Sequence, residues 1–182
     1  MNFMKFGLCA LSLFTNLTVW AQETNYVGKV INVADGDTVT ILVDSRIQVK
    51  VRLASIDAPE SSHTNKEYGR VGQPYSAVAT KFLANAGKGK VVNATCYGID
   101  NPRYNREICE LFVNGVSINQ ALVSQGWAWA NVSNRGRYLR DKSLPAMEAS
   151  ARANHLGLWA GANPVPPWEW RNMCWKDNVC PN

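Results

Sequence analysis

Alternation of apolar with polar or small residues marks the first third of the chain. Tyr26-Val27-Gly28-Lys29-Val30-Ile31-Asn32-Val33, Thr38-Val39-Thr40-Ile41-Leu42-Val43 and Ile47-Gln48-Val49-Lys50-Val51-Arg52-Leu53 all carry the two-residue period of strands with one buried face. Asp44-Ser45-Arg46 is a short turn between the last two, so the three read as an antiparallel meander. Between 56 and 72 the pattern dissolves, interrupted by Pro59, His63, Asn65, Gly69 and Gly72. It returns with a helical period at Pro74–Ala86, where Tyr75, Val78, Phe82, Leu83 and Ala86 share one side and Gly87 and Gly89 end the run. Strands are expected again at Lys90–Tyr97 and Glu107–Val113, with Asn114-Gly115 as a turn. Ser117 is placed to cap a second helix carrying Ile118, Ala121 and Leu122. A last helix is expected from Ser143 or Leu144 to Asn154, with Pro145 in its first turn.

Five strands, a helix between the third and fourth, and about three helices in all fit an α+β, mainly β fold. The architecture expected is a five-stranded barrel of the oligonucleotide/oligosaccharide-binding (OB-fold) type. That fold by itself decides no function. After 160 the composition changes: Pro164, Pro166, Pro167, Trp168 and Trp170 do not suit a regular helix and read as an ordered strap packed by its tryptophans. The organisation expected is a leader at 1–21, a barrel domain at 22–160 and a Pro/Trp-rich extension at 161–182.

The leader reads as a signal peptide. Lys5 precedes an apolar run from Phe6 to Val19, and Val19-Trp20-Ala21 puts small residues at the two positions a signal peptidase inspects, with cleavage after Ala21. The alternative is an anchor that stays in the membrane. However, the run is shorter than the ~20 apolar residues a span needs and contains Ser12, Thr15, Asn16 and Thr18. A secreted or periplasmic location follows. The chain carries 19 Lys and Arg against 14 Asp and Glu, and the leader removes only Lys5. A mature chain this basic is compatible with a polyanionic partner, without singling one out. Beyond Cys9 in the leader, Cys96, Cys109, Cys174 and Cys180 remain, an even number that in an exported chain suggests two disulfides. Of three possible pairings we favour Cys96–Cys109, on the arms of the expected hairpin, and Cys174–Cys180, closing a short tail loop. A zinc site is a poor rival, because no Cys-x-x-Cys pair is present.

Three segments carry candidate chemistry. Asp35-Gly36-Asp37-Thr38 opens the second strand, and Asp-Gly alone suits a hairpin turn as well as a metal site. Arg52-Leu53-Ala54-Ser55-Ile56-Asp57-Ala58-Pro59-Glu60 sets a cation and two carboxylates around a proline that restricts the backbone at Ala58. Arg103-Tyr104-Asn105-Arg106 forms a basic hairpin tip, which alone is as readily a solvated turn. Together, Asp37, Asp57 and the Ala58 carbonyl make an all-oxygen set that suits calcium or magnesium rather than zinc or copper. Arg52 and Arg106 are candidates to grip a phosphate through planar guanidinium forks. Glu60 is the spare carboxylate, and so the candidate general base.

The three segments, in this order and spacing, resemble the signature of the staphylococcal nuclease family over roughly Tyr26 to Trp159. Asn119-Gln120-Ala121-Leu122-Val123 and the stretch from Glu148-Ala149 to Gly157-Leu158-Trp159 share in the resemblance. It implies a calcium-activated endonuclease on an OB barrel, cutting DNA and RNA and leaving 3′-phosphate ends. By the same resemblance Asp37, Asp57 and the main chain of Ala58 hold the metal, with Asp35 acting through water. Arg52 and Arg106 bind and stabilise the phosphate, Glu60 is the base, and Tyr104 and Arg103 lie near the substrate. Asn105 stands where the family has a Gly with positive φ, a conformation Asn also tolerates. The family's paired tyrosines after the second helix are replaced by Trp127-Ala128-Trp129-Ala130, so base stacking is expected from Trp129 or Tyr138. A monomer with no stable protein partner is expected. Two rivals make different predictions: a non-catalytic nucleic-acid binder would retain DNA without cutting it, and a calcium-stabilised structural protein would have no DNA affinity.

Overall fold

The structure, a computed structural model, describes residues 23–64 and 69–181; the expected leader lies outside the described residues. Five strands form the barrel: β1 (Thr24–Val33), β2 (Thr38–Val43), β3 (Ile47–Leu53), β4 (Val91–Ile99) and β5 (Glu107–Val113). The β1–β2 and β2–β3 pairs are the antiparallel meander read from the pattern. β1 also pairs antiparallel with β4, and β4 with β5. Closure comes from a parallel pairing of β3 with β5, in the register Val51 to Glu107, Arg52 to Ile108 and Leu53 to Cys109. The fold is thus a five-stranded mixed β-barrel with several helices.

Alternation explains the core. Val30, Val39, Ile41, Val51, Leu53, Val92, Ala94 and Leu111 are at most 1% exposed and fill the barrel interior. The helix α1 (Ser76–Gly87) adds Leu83, and α2 (Ile118–Ser124) adds Ile118, Leu122 and Val123. Ser117 caps α2 as expected, its side chain accepting from the Gln120 N–H at 3.2 Å. Buried Asn119 secures the closure: its Oδ1 accepts from the Leu111 N–H (3.1 Å), and its Nδ2 donates to the carbonyls of Ala54 (2.9 Å) and Cys109 (3.3 Å). An apolar side chain here would strand the Leu111 N–H and the Ala54 carbonyl, at ~1–3 kcal/mol each, while the Cys109 carbonyl keeps the Ala54 N–H at 2.7 Å. The Cys96–Cys109 disulfide links β4 to β5 inside the barrel.

The helix α3 (Leu144–Ala153) sends Leu144 into the main core, while its Ala151 joins a satellite cluster with Trp129, Leu158 and Trp159. The tail departs from the strap expected. Pro167–Trp170 is a helical turn, and Arg171–Lys176 continues it as wide π-type turns. The prolines permit this because none follows Pro167 until Pro181, and Pro167 occupies a first-turn position, where no N–H partner is lost. The tryptophan packing and the second disulfide do hold. Trp170 is buried, the indole N–H groups of Trp170 (3.2 Å) and Trp175 (2.8 Å) donate to the Val71 carbonyl, and Cys174–Cys180 closes the end.

Candidate active site

Asp35-Gly36-Asp37 is both a turn and a site element. The Asp35 carboxylate accepts from the Asp37 N–H at 3.1 Å, which folds the turn between β1 and β2. A Cβ on Gly36 would lie 2.7 Å from the Ala58 Cβ and 3.2 Å from that of Ala79. The bare glycine therefore lets the turn press against the Ala58 loop and α1. The contact is completed by the Ala58 N–H, which donates to Asp37 Oδ2 at 3.1 Å. Asp57 ends a two-residue strand, Ile56–Asp57, paired with Trp129–Ala130. Glu148 of α3 fixes that partner by accepting from the Ala130 N–H at 2.7 Å.

Arg52 leaves β3 and bridges the two aspartates, with Nη1 2.8 Å from Asp37 Oδ1 and Nη2 2.6 Å from Asp57 Oδ1. Thr38 Oγ1 donates to Asp37 Oδ1 at 3.1 Å and accepts from Arg106 Nη1 at 3.4 Å. Arg106 is held by Asp100 through Nη2 and lies over the Tyr104 ring, 5.1 Å from its centroid, while its buried Nε has no partner among the described residues. The turn that delivers it bends at Asn105, whose φ of +47° is the conformation expected there. Glu60 is held by Gln73 at both backbone groups: its N–H donates to Gln73 Oε1 (2.9 Å), and its carbonyl accepts from the Gln73 N–H (2.7 Å). The candidate residues Asp37, Arg52, Asp57 and Arg106 thus belong to one connected network, which Glu60 joins through one further arginine.

That network contains a member the sequence did not point to. Arg171, from the extension, donates from Nη2 to Asp57 Oδ2 at 2.8 Å and from Nη1 to Asp57 Oδ1 at 3.3 Å, and pairs through Nη1 with Glu60. Gln73 and Asp100 were also missed. No motif marks any of the three, since each acts by holding another residue rather than through its own chemistry.

Charge follows the crowding. Burial pushes Asp37 up to about 8; Arg52 opposes this, while Asp35 and Asp57 add to it. Burial also raises Glu60, with Arg171 opposing. Burial favours loss of the Arg52 proton, yet Asp37 and Asp57 outweigh it and hold the guanidinium more firmly charged than usual.

The substrate-side expectations fare unevenly. Trp129 is 3% exposed and packs edge-on against Trp159 at 5.2 Å, so it has no free face for a base; the apolar cluster that covers it overrides the aromatic reading. Tyr138 is 50% and Tyr104 52% exposed, and the Arg103 side chain is exposed on the same turn as Tyr104.

Calcium, implied by the resemblance, can be tested against these groups. The carboxylates of Asp35, Asp37, Asp57 and Glu60 stand against the guanidiniums of Arg52 and Arg171, with Arg106 balanced by Asp100. Hard oxygens in which carboxylates outnumber guanidiniums suit a divalent ion, whose charge would also favour the ionised form of Asp37. The fit is one of donor type and charge. Among the described residues no three acidic, His or Cys side chains converge on one cation position, so main chain, water or substrate would complete the set.

Comparison with known proteins agrees with this arrangement. The family described as staphylococcal nuclease homologue matches residues 50–161. An uncharacterized endonuclease of Escherichia coli O157:H7 is 37% identical over 146 residues, covering 80% of this chain and 84% of its own. A micrococcal nuclease of Shigella flexneri is 32% identical over 174 residues, covering 89% and 88%. An uncharacterized endonuclease of Haemophilus influenzae is 34% identical over 163 residues, covering 90% and 82%. The match runs from the end of β3 through β4, β5 and α3 and takes in two of the three motif segments, Arg52–Glu60 and Arg103–Arg106, with relatives aligned over most of their length: the chain belongs to the staphylococcal nuclease family.

Proposed function

We propose that the protein is a calcium-dependent endonuclease that hydrolyses phosphodiester bonds of DNA and RNA and leaves 3′-phosphate ends. The observation that carries this reading is the bridge of Arg52 between Asp37 and Asp57, with Glu60 and Arg106 in the same network. A protein that merely binds nucleic acid has no need of an ionisable carboxylate beside its phosphate-binding arginines.

Asp37, Asp57 and the main chain of Ala58 would hold the ion, with Asp35 acting through water. Bound there, calcium supplies charge stabilisation to a phosphate oxygen and lowers the cost of ionising water. Arg52 exchanges a carboxylate for a phosphate oxygen when substrate arrives, and Arg106 brings a second fork from the far side of Thr38. Both guanidiniums stabilise charge that grows on the phosphate oxygens during in-line attack. Glu60 accepts the proton of the attacking water. Tyr104 and Arg103, exposed on the Arg106 turn, line the path of the nucleic acid, and Tyr138 offers a face for a base. The two disulfides agree with an oxidising compartment, and so with export after cleavage near Ala21.

The decisive experiment incubates the purified protein with DNA and with RNA in calcium, in magnesium and in chelator. Cleavage in calcium that stops in chelator, with 3′-phosphate ends, is expected. Undiminished digestion in chelator removes Asp37 and Asp57 from any metal role, and DNA retention without cleavage in calcium points to a binder.

A further inference from the structure

The C-terminal extension is bound to the site loop at several independent points. Buried Gln73, which holds both backbone groups of Glu60, also donates from Nε2 to the Val165 carbonyl at 2.8 Å. A Cβ on Gly72 would lie 2.7 Å from the Ser62 nitrogen and 3.2 Å from the Glu60 carbonyl, so this loop is already at its closest approach. Two tryptophans of the extension share the Val71 carbonyl beside it. The extension is therefore built against the Glu60 loop, and Arg171 points from it onto Asp57 and Glu60. The family match ends at residue 161, before this segment reaches the site.

We propose that Arg171 is a positioning residue of the active site, which holds the Glu60 carboxylate in place and competes with the metal ion for Asp57. The proposal rests on the nuclease reading above. Its guanidinium divides between two carboxylates: Nη2 serves Asp57 alone, whereas Nη1 reaches Glu60 as well. It can release Asp57 to an arriving cation and stay on Glu60. Of the two guanidiniums on Asp57, Arg52 also spans Asp37 and issues from a barrel strand, whereas Arg171 is the more exposed (side chain 35% against 20%). Arg171 is thus the one a cation displaces at less cost. Removing it takes away a positive charge that opposes the ion, and leaves Glu60 to wander among rotamers.

The test uses the full chain with both disulfides formed, as wild type, Arg171→Ala and Arg171→Lys. Calcium affinity is measured by calorimetry without nucleic acid, and turnover at saturating calcium and DNA. Arg171→Ala is expected to bind calcium about tenfold more tightly, while its kcat falls about tenfold with little change in KM. A loss of only 1.4 kcal/mol of competing interaction gives that factor. Arg171→Lys restores the charge without the fork, so its calcium affinity returns toward wild type while kcat stays low. A merely structural role gives the opposite sign, weaker calcium binding with a lower Tm. Unchanged or weaker calcium binding in Arg171→Ala overturns the proposal, as does unchanged or raised kcat. Should Arg171→Ala not fold, Arg171→Lys decides through kcat, since wild-type turnover there is incompatible with a required fork. If the wild type binds calcium but cuts no nucleic acid, the nuclease reading falls and takes the positioning of Glu60 with it. If the wild type cuts and the Arg171 results fail, only the present proposal falls.

Discussion

Two guanidiniums meet on Asp57, and they come from regions built in different ways. Arg52 is delivered by the barrel. Its strand is paired on both sides, Thr38 lying across from it on β2 and Ile108 on β5, so sheet register sets where the side chain emerges. Arg171 is delivered by the extension, through a shared carbonyl, a glutamine and a short disulfide loop. The local geometry at the carboxylate is similar, at 2.6 and 2.8 Å. The difference lies in what must fail before each is lost: the barrel itself for Arg52, the tethers at the rim for Arg171.

The comparison breaks hardest on the barrel side. Arg52→Ala and Arg106→Ala are expected to fold yet lose activity by a factor of hundreds or more, the usual cost of ~3–4 kcal/mol for one donor to a developing negative charge. Steady-state kinetics check this, and near-wild-type kcat in either would falsify the clamp. Gly36→Ala comes next. Its methyl meets Ala58 and Ala79 at distances that force the turn outward, so a loss of about 1–3 kcal/mol in urea unfolding is expected, with weakened calcium binding because Asp37 moves away from Ala58. On the extension side, replacing Cys174 and Cys180 with Ser removes a loop constraint worth at most ~2 kcal/mol. The barrel should melt almost as before, while hydrogen exchange quickens in residues 165–180. Equal loss of protection in β3 would show that the two regions are one cooperative unit.

The smallest effect concerns Asp100, the partner of Arg106. Burial raises its carboxyl, but the hydrogen bonds from Arg106 and the Asn101 N–H outweigh this and hold it below the usual range. A lowered folded-state value stabilises the fold above the ordinary carboxylate range, and that contribution fades as pH falls through the lowered value. Asp100→Asn should cost under ~1 kcal/mol at neutral pH, since the side chain is a third exposed and screened. The difference in Tm from wild type should shrink as pH falls through the lowered value and vanish below it.

Legibility in the sequence divides along the same line. The five strands could be read because Val30, Ile41, Val51, Val92 and their neighbours alternate, and the three helices because their period changes and Ser117 and Gly87 punctuate them. The parallel closure could not, since a period of two gives the buried face of β3 and β5 but not their partner. Asp37, Arg52, Asp57, Glu60 and Arg106 stood out because several ionisable types sat at strand ends. Trp129 misled because an aromatic near the site serves equally well as core, and only the Trp159, Leu158 and Ala151 side chains decide between the two. Arg171 carried no signal at all: one arginine among tryptophans has meaning only once 99 residues of separation, from Trp170 back to Val71, are folded away.

The parallel seam between β3 and β5 has a consequence for the time course of folding. Arg52 lies within the seam and Arg106 directly precedes it, so the spacing of the two arginines does not exist until residues 51–53 find residues 107–109. The chain between them must be closed as one long loop, and contacts so distant in sequence are the slow ones to form. Helical signal and core burial should therefore return early in refolding, and phosphate affinity should return with the slowest phase. In this protein, regained function is the clock that times barrel closure.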